Sequence, residues 1–312
     1  MESDRSVLKR FSGLGHPRTT LLPNKLLLWL FLLFLLLFVS SINLLRDRAE
    51  TGALSAGVLR MYSLRGCRLA VISLLILWTA LYSALKAYVA PKFTATSHNP
   101  SMAAFCGVCL VNMMWITFLG FRAWPSVPKS EKNGLSLWKT NAAGQELAII
   151  QCAFQGWDLA MCFFLPELQN FLMVVHHLLV TILSGACYEV NMMHEPALFF
   201  LGLSEMQGVP LTLIDFFTHI PPDHFPNPIF ANLVFDVTKY AFALLFFYAR
   251  IYLWSKHTIA FVTNANHALS INEKKRGRSL IRLFVVACIV LTALQIYWGF
   301  LIMREASGLL LG

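Results

Sequence analysis

Long apolar runs alternate with short polar gaps along this chain, and each run is near the roughly 20 residues that a helix needs to cross a bilayer's hydrocarbon. The pattern predicts about eight membrane-spanning helices. The first covers residues 26–45 and follows a polar leader carrying Arg5, Lys9, Arg10 and Arg18. Its length and the lack of a clear A-x-A site favour an uncleaved signal anchor over a cleaved signal peptide. The others fall at about 69–88, 101–121, 145–165, 170–188, 196–217, 233–254 and 283–303. Asn99-Pro100 opens the third, and Pro196 suits the first turn of the sixth. Pro210 lies inside the sixth and predicts a kink, because it removes a backbone donor and crowds the preceding turn. The proline-rich stretch 218–228 predicts a rigid loop, and 264–282 a polar, basic one. No strand-like alternation or internal repeat intervenes, so the fold class is an all-α polytopic membrane bundle.

Composition agrees. The 312 residues are 57% hydrophobic and 13% charged, whereas soluble proteins run near 25% charged. The net charge of +9 does not point to nucleic acid, because the basic residues flank the apolar runs, where they orient helices and meet anionic head groups. With eight spans, the amino-terminal side carries 8 Lys and Arg and the opposite side 15. The positive-inside rule then puts the second set in the cytosol and both termini outside it. The 7 cysteines lie mostly within apolar runs and read as small packing residues. Cys106 and Cys109 form a CxxC, but inside a span and without a second Cys or His pair nearby. There is no N-x-S/T sequon. Tryptophans 115, 124, 138, 254 and 298 fall near predicted span ends, where indoles anchor at the interface.

Residues 154–215 concentrate ionisable groups that an ordinary span avoids: Asp158, His176, His177 and Glu205. Such groups are costly in hydrocarbon and usually face a bundle interior or a wet cavity. Four of them so close together predict one shared polar pocket. Neighbouring helical residues point about 100° apart, so the two histidines face different ways. His177 shares its face with Thr181 and Ser184, making a polar stripe, while His176 needs another partner. Both can be interhelical hydrogen-bonding groups. Alternatively, one is a general base that takes a proton from an amine or hydroxyl attacking a thioester, with Asp158 orienting the ring. Metal binding by His176, His177, Asp158 and Glu205 ranks last, because adjacent histidines diverge. On its own helix Glu205 is followed by Gly208 and Thr212, and the bend at Pro210 suits a lipid or acyl-chain cavity. Arg250 is its obvious counter-ion, with Asp215 and Asp158 as other neighbours. Asp236 and Lys239, at i and i+3, predict a local ion pair.

Several of these residues match, in order, the helices of a known family. Gln155-Gly156-Trp157-Asp158 resembles a G-aromatic-x-x-D helix, although the acid follows Gly by two residues rather than three or four. His176-His177-Leu178-Leu179 resembles a double-histidine helix, Ser204-Glu205 before Pro210 an E-x-S-x-P type helix, and Leu294-Gln295-Ile296-Tyr297-Trp298 an L-Q-x-Y-W signature. Arg250 falls where the penultimate helix carries an arginine. The set resembles the TLC domain shared by the TRAM, LAG (ceramide synthase) and CLN membrane proteins, over roughly residues 101–304. That domain has six helices, so residues 1–100 would add a tail and two helices, and 305–312 a short tail. Family topology places the domain's start and end in the cytosol, opposite to the charge count. The H-D-x-x-D pattern of ceramide synthases is absent, with Glu205 in its place, so the chain resembles the divergent branch.

The resemblance implies a role in lipid metabolism or membrane-lipid homeostasis in the endoplasmic reticulum. One form of that role is acyl transfer with acyl-CoA as co-substrate, catalysed by His176, His177 and Asp158, with Glu205, Thr181, Ser184, Thr212 and Arg250 supporting the lipid cavity. A non-catalytic lipid binder and an early-secretory cargo adaptor are the alternatives, so whether the protein is an enzyme stays open. No tightly bound cofactor or metal is expected. The expected partners are membrane lipid and, in an oligomer, further copies of the chain.

Overall fold

The computed structural model describes residues 64–89, 99–126, 137–220, 222, 225, 227–270 and 278–311. The chain divides into two compact units, Met1–Ala70 and Val71–Gly312. Of the first unit only Leu64–Ala70 is described, as the opening turns of a helix. The run at 26–45 lies outside the described residues.

Among the described residues seven helices are long and apolar enough to cross a membrane, and there is no strand. They are α1 (Leu64–Ala84, continued by a π turn Leu85–Val89), α2 (Pro100–Ala123), α3 (Ala142–Phe164), α4 (Phe171–Val190), α5 (His194–His219), α6 (Pro228–Ser270) and α7 (Arg278–Leu311). The protein is an all-α, multi-pass integral membrane protein. Asparagine begins four of these helices. Asn99, Asn141, Asn170 and Asn227 each accept a hydrogen bond from a first-turn backbone N–H, and proline follows the first and last of them at the opening of the helix.

Among the described helices α2, α3 and α5 are the most enclosed and α1 the least. The α2–α5 crossing is set by glycine. A Cβ on Gly120 would lie 2.5 Å from the Leu203 nitrogen, and one on Gly202 would lie 2.9 Å from the Gly120 Cα. Backbone therefore meets backbone, as at small-residue crossings in membranes. Aromatic rings fill the space between α1, α2 and α3. Trp78 meets Trp115 and Phe154 at 6.0 Å, and Phe105 stacks on Trp157 at 5.7 Å.

The turn between α4 and α5 is drawn tightly into the bundle. Asn191 (φ 55) and Met193 (φ 64) both adopt left-handed backbone, which is common for asparagine and rare for methionine. Met193 is buried, and its N–H donates to the Leu137 carbonyl at 2.8 Å. The Asn141 N–H donates to His194 Nδ1 at 3.2 Å, and the buried Glu195 pairs with Lys139 at 3.0 Å.

Two predicted boundaries move. The polar loop at 264–282 gives way to helix as far as Ser270, making α6 43 residues long. Beyond the expected end, Trp254, His257, Thr258, Phe261 and Ala265 repeat at helical spacing as a buried stripe, which keeps the segment helical. The irregularity in α5 also begins earlier than Pro210. A π segment, Leu198–Gly202, and a 3-10 segment, Leu203–Gln207, come first, and regular α-helix starts at Gly208. Pro210 thus sits in the first turn of a new α segment, where its missing donor is harmless, and the preceding turns absorb the change.

Glycine packing gives a paired prediction. Gly120→Ala should destabilise the bundle by about 1–3 kcal/mol, because the added methyl meets backbone that has nowhere to go. Gly156→Ala, whose methyl would meet only the Thr181 Cγ2 at 3.7 Å, should leave stability unchanged or raise it. Thermal unfolding of the two variants in detergent, side by side, checks the contrast.

Candidate functional site

Helix α3 carries Gln151, Gln155 and Asp158 at i, i+4 and i+7, on one buried face. That face meets the double-histidine turn of α4. Gln151 Nε2 donates to the Leu201 carbonyl at 3.1 Å, and Gln155 Nε2 donates to Gln151 Oε1 at 3.4 Å. Gln155 Oε1 is thereby turned toward His177 Nδ1, with which it makes a short hydrogen bond. An amide oxygen only accepts, so Nδ1 carries a proton. The other ring nitrogen, Nε2, faces Asp158 Oδ2 at 3.5 Å. The result is a buried polar chain from α5 backbone to a His–Asp pair.

His176 faces elsewhere. Its ring meets Trp298 of α7 edge-on at 5.6 Å and lies 5.5 Å from the ring of His177. Its Nδ1 is buried without a hydrogen-bond partner. His176 lines a cavity of about 50 Å³ between α4, α5, α6 and α7, together with Glu205 and Arg250. The remaining walls are apolar, including Val180, Leu183, Phe200, Leu201, Phe284 and Leu291.

Arg250 and Glu205 form the polar wall. Arg250 Nη2 donates to Glu205 Oε2 at 2.5 Å, with the two side chains 4% and 7% exposed. The guanidinium also lies over the Trp254 ring at 5.3 Å, while its Nε is buried without a partner. Trp254 is fixed in turn by its Nε1–H, which donates to Thr292 of α7 at 2.9 Å. Neither member of the ion pair sits on ordinary α-helix. Glu205 is on the 3-10 segment of α5, and Arg250 is on a π segment of α6, Phe246–Leu253.

The predicted single pocket is therefore two adjoining sites, with the histidine pair back to back between them. His177 and Asp158 belong to the α3–α4 chain, while His176, Glu205 and Arg250 belong to the cavity. Adjacent positions on one helix cannot point into the same space. Arg250 is the partner of Glu205, and Asp215 is exposed near the end of α5. The supporting hydroxyls do not line the cavity. Thr181 donates to the His177 carbonyl at 2.7 Å, Ser184 to the Val180 carbonyl at 2.6 Å and Thr212 to the Gly208 carbonyl at 2.8 Å. Each donates to a carbonyl of its own helix, a default open to threonine and serine, and Ser184 also meets the Cys152 thiol of α3. Asp236 and Lys239 pair at 3.0 Å on the exposed face of α6. Among the described residues no group of three or more His, Cys, Asp or Glu is arranged to hold a metal.

Sequence reasoning missed Gln151 and gave Gln155 no role of its own. The signal was present in the i, i+4, i+7 spacing of three polar residues within an apolar helix. Trp254 was expected at the membrane interface, yet it is 2% exposed and forms the bed of Arg250. Trp298 packs on His176.

Comparison with curated proteins returned no match. The family model of the TLC domain matches residues 103–304, which run from the first turn of α2 to Arg304 in α7 and include every residue of both sites. The chain belongs to the TLC-domain family.

Proposed function

We propose that this protein binds a membrane lipid in the cavity between α4 and α7 and acts in membrane-lipid metabolism or homeostasis. The observation that carries this reading is the cavity itself: apolar walls with one polar side made by His176, Arg250 and Glu205. Such a combination orients an amphiphile, because the apolar walls accept hydrocarbon and the few polar groups fix its head. At about 50 Å³ the space exceeds what one water needs. It is far smaller than a complete acyl chain. The polar end of the lipid is thus held inside, and the chain leaves between helices toward the bilayer. The proposed setting is the endoplasmic reticulum, the compartment that the family resemblance implies.

A second reading is acyl transfer from acyl-CoA, and the His177–Asp158 pair favours it. In that reading an imidazole takes the proton of an acceptor hydroxyl or amine as its oxygen or nitrogen bonds to the thioester carbon. The carbon–sulfur bond then breaks, and coenzyme A leaves as the thiol with that proton. His176 is the ring that fronts the cavity, and His177 with Asp158 supports it from behind.

Lipid binding is checked by native mass spectrometry of the protein purified in mild detergent. A co-purifying lipid is expected. Ala197→Phe and Cys288→Phe, which place a ring in the cavity, should each reduce it at least about tenfold while the protein stays monodisperse. Retention of the lipid by both variants would place it elsewhere. Acyl transfer is checked in nanodiscs with acyl-CoA and a panel of amine and hydroxyl lipids. If the second reading holds, His176→Ala lowers turnover by about 10²–10⁴-fold, the range typical for loss of a general base. No turnover by well-folded wild type across the panel would end that reading and leave the first standing.

A further inference from the structure

A lipid that binds between α4 and α7 comes from the bilayer, and the four helices around the cavity are not joined equally. α5 is pinned to α6 by the Arg250–Glu205 ion pair. α6 is tied to α7 by the Trp254 Nε1–H, which donates to Thr292. The same two helices approach closely at Gly299, where a Cβ would lie 3.3 Å from Ile251 Cδ1. α4 and α5 share a short turn fastened by the Met193 N–H to the Leu137 carbonyl, and behind them Gln151 of α3 donates to the Leu201 carbonyl. α4 and α7 differ. Among the described residues no hydrogen bond or ion pair joins them at the level of the cavity. Leu179 and Leu183 of α4 share one apolar cluster with Leu291, Leu294 and Trp298 of α7, and the His176 ring meets Trp298 edge-on. Trp298 is half-buried: it rests on His176, a lining residue, while part of it stays at the outer surface of the bundle. Apolar side chains lose little when lipid parts them, because acyl tails are as apolar as leucine. A hydrogen bond or ion pair broken in hydrocarbon finds no such replacement.

We propose that lipid enters the cavity through the seam between α4 and α7, and that Trp298 controls its passage. This inference rests on the lipid-binding reading above and names the route of entry. Of the four seams, this is the one that acyl chains open at least cost, since they replace the contacts they displace. Trp298 is the largest side chain in the seam, and its seat against His176 holds the two helices together beside the polar wall. The indole swings aside as a chain passes and returns to the His176 ring behind it. Trp298 thus governs access to the cavity and takes no part in chemistry there.

The test uses the full-length chain in nanodiscs and a long-chain alkyl diazirine, a probe that stays in the bilayer until photolysis. Peptide mass spectrometry then reads labelling at two buried lining residues, Cys187 and Leu291, and at Phe154, which is buried away from the cavity. Trp298→Ala should raise labelling of Cys187 and Leu291 about fivefold or more, the factor carried by one lost aromatic contact, and leave Phe154 unlabelled. Trp298→Phe keeps a ring and should stay near wild type. Thr292→Val cuts the polar tie of the neighbouring α6–α7 seam and should not raise labelling. Should Trp298→Ala fail to fold, Trp298→Leu takes its place with the same expectation. Unchanged labelling in the folded variant overturns the proposal, as does an equal rise in Thr292→Val or a rise shared by Phe154. Each of these leaves lipid binding standing where wild type co-purifies with lipid. A wild type that carries no lipid by native mass spectrometry, with no label at either lining residue in any variant, removes the lipid-binding reading and the proposal with it.

Discussion

The buried ion pair between Arg250 and Glu205 is the constraint around which the carboxy-terminal helices are arranged. Two opposite charges in an apolar interior are tolerated only together. Removing one partner typically costs about 3–5 kcal/mol, because the other is left uncompensated. The pair therefore pins α5 to α6 at one depth and in one rotation. Trp254 extends that restraint to α7, since its ring lies under the guanidinium while its N–H donates to Thr292. Both charged residues lie on segments that are wound more tightly or more widely than an α-helix. A π segment widens the turn and turns the following side chains, and such segments recur at functional sites. Here the winding change in α5 lies just ahead of Pro210, which sits in the first turn of the regular α segment that follows.

The double histidine is best understood as a partition between two sites. His177 is committed to α3 through Gln155 and Asp158, and the amide chain behind Gln155 fixes which nitrogen of the ring holds a proton. His176 makes aromatic contacts, lines the cavity and has a buried Nδ1 without a hydrogen-bond partner. One ring is ordered by hydrogen bonds and shut away from the cavity; the other is ordered by packing and left open to it. A helix that needs both a structural anchor and a chemically available group at one level achieves this with two adjacent residues, since their directions differ by about 100°.

Much of the fold was legible because membranes impose a simple rule: backbone polar groups must be satisfied within each span, so apolar runs of the right length become helices. The runs at 101–121, 145–165 and 170–188 became α2, α3 and α4 within a few residues. Pairings across helices were legible only where the chemistry left few choices. Glu205 needed a cation, and Arg250 was the one intramembrane arginine nearby in the helix order. Thr181 and Ser184 misled, because a polar stripe on a helix does not reveal that hydroxyls can turn back to carbonyls of their own helix. Trp254 misled in a related way. Its position near a predicted span end implied the interface, but the stripe formed by His257, Phe261 and Ala265 carries α6 onward and encloses it. The tight α2–α5 approach was invisible for a different reason. Gly120 and Gly202 are unremarkable alone, and only their meeting in space shows why neither can carry a side chain.

Depth explains why charge balance matters at this site. Glu205 lies 11 residues into the 26-residue α5, which at 1.5 Å per residue is roughly 16 Å from its start. That is about half the ~30 Å thickness of the hydrocarbon layer. Arg250 lies on the longer α6, with 22 residues before it and 20 after it, and its contact with Glu205 sets it at the same level. A polar wall at that level sees bilayer on the outside of the bundle and apolar side chains within it. Anything that reaches it by way of the membrane must already be an amphiphile.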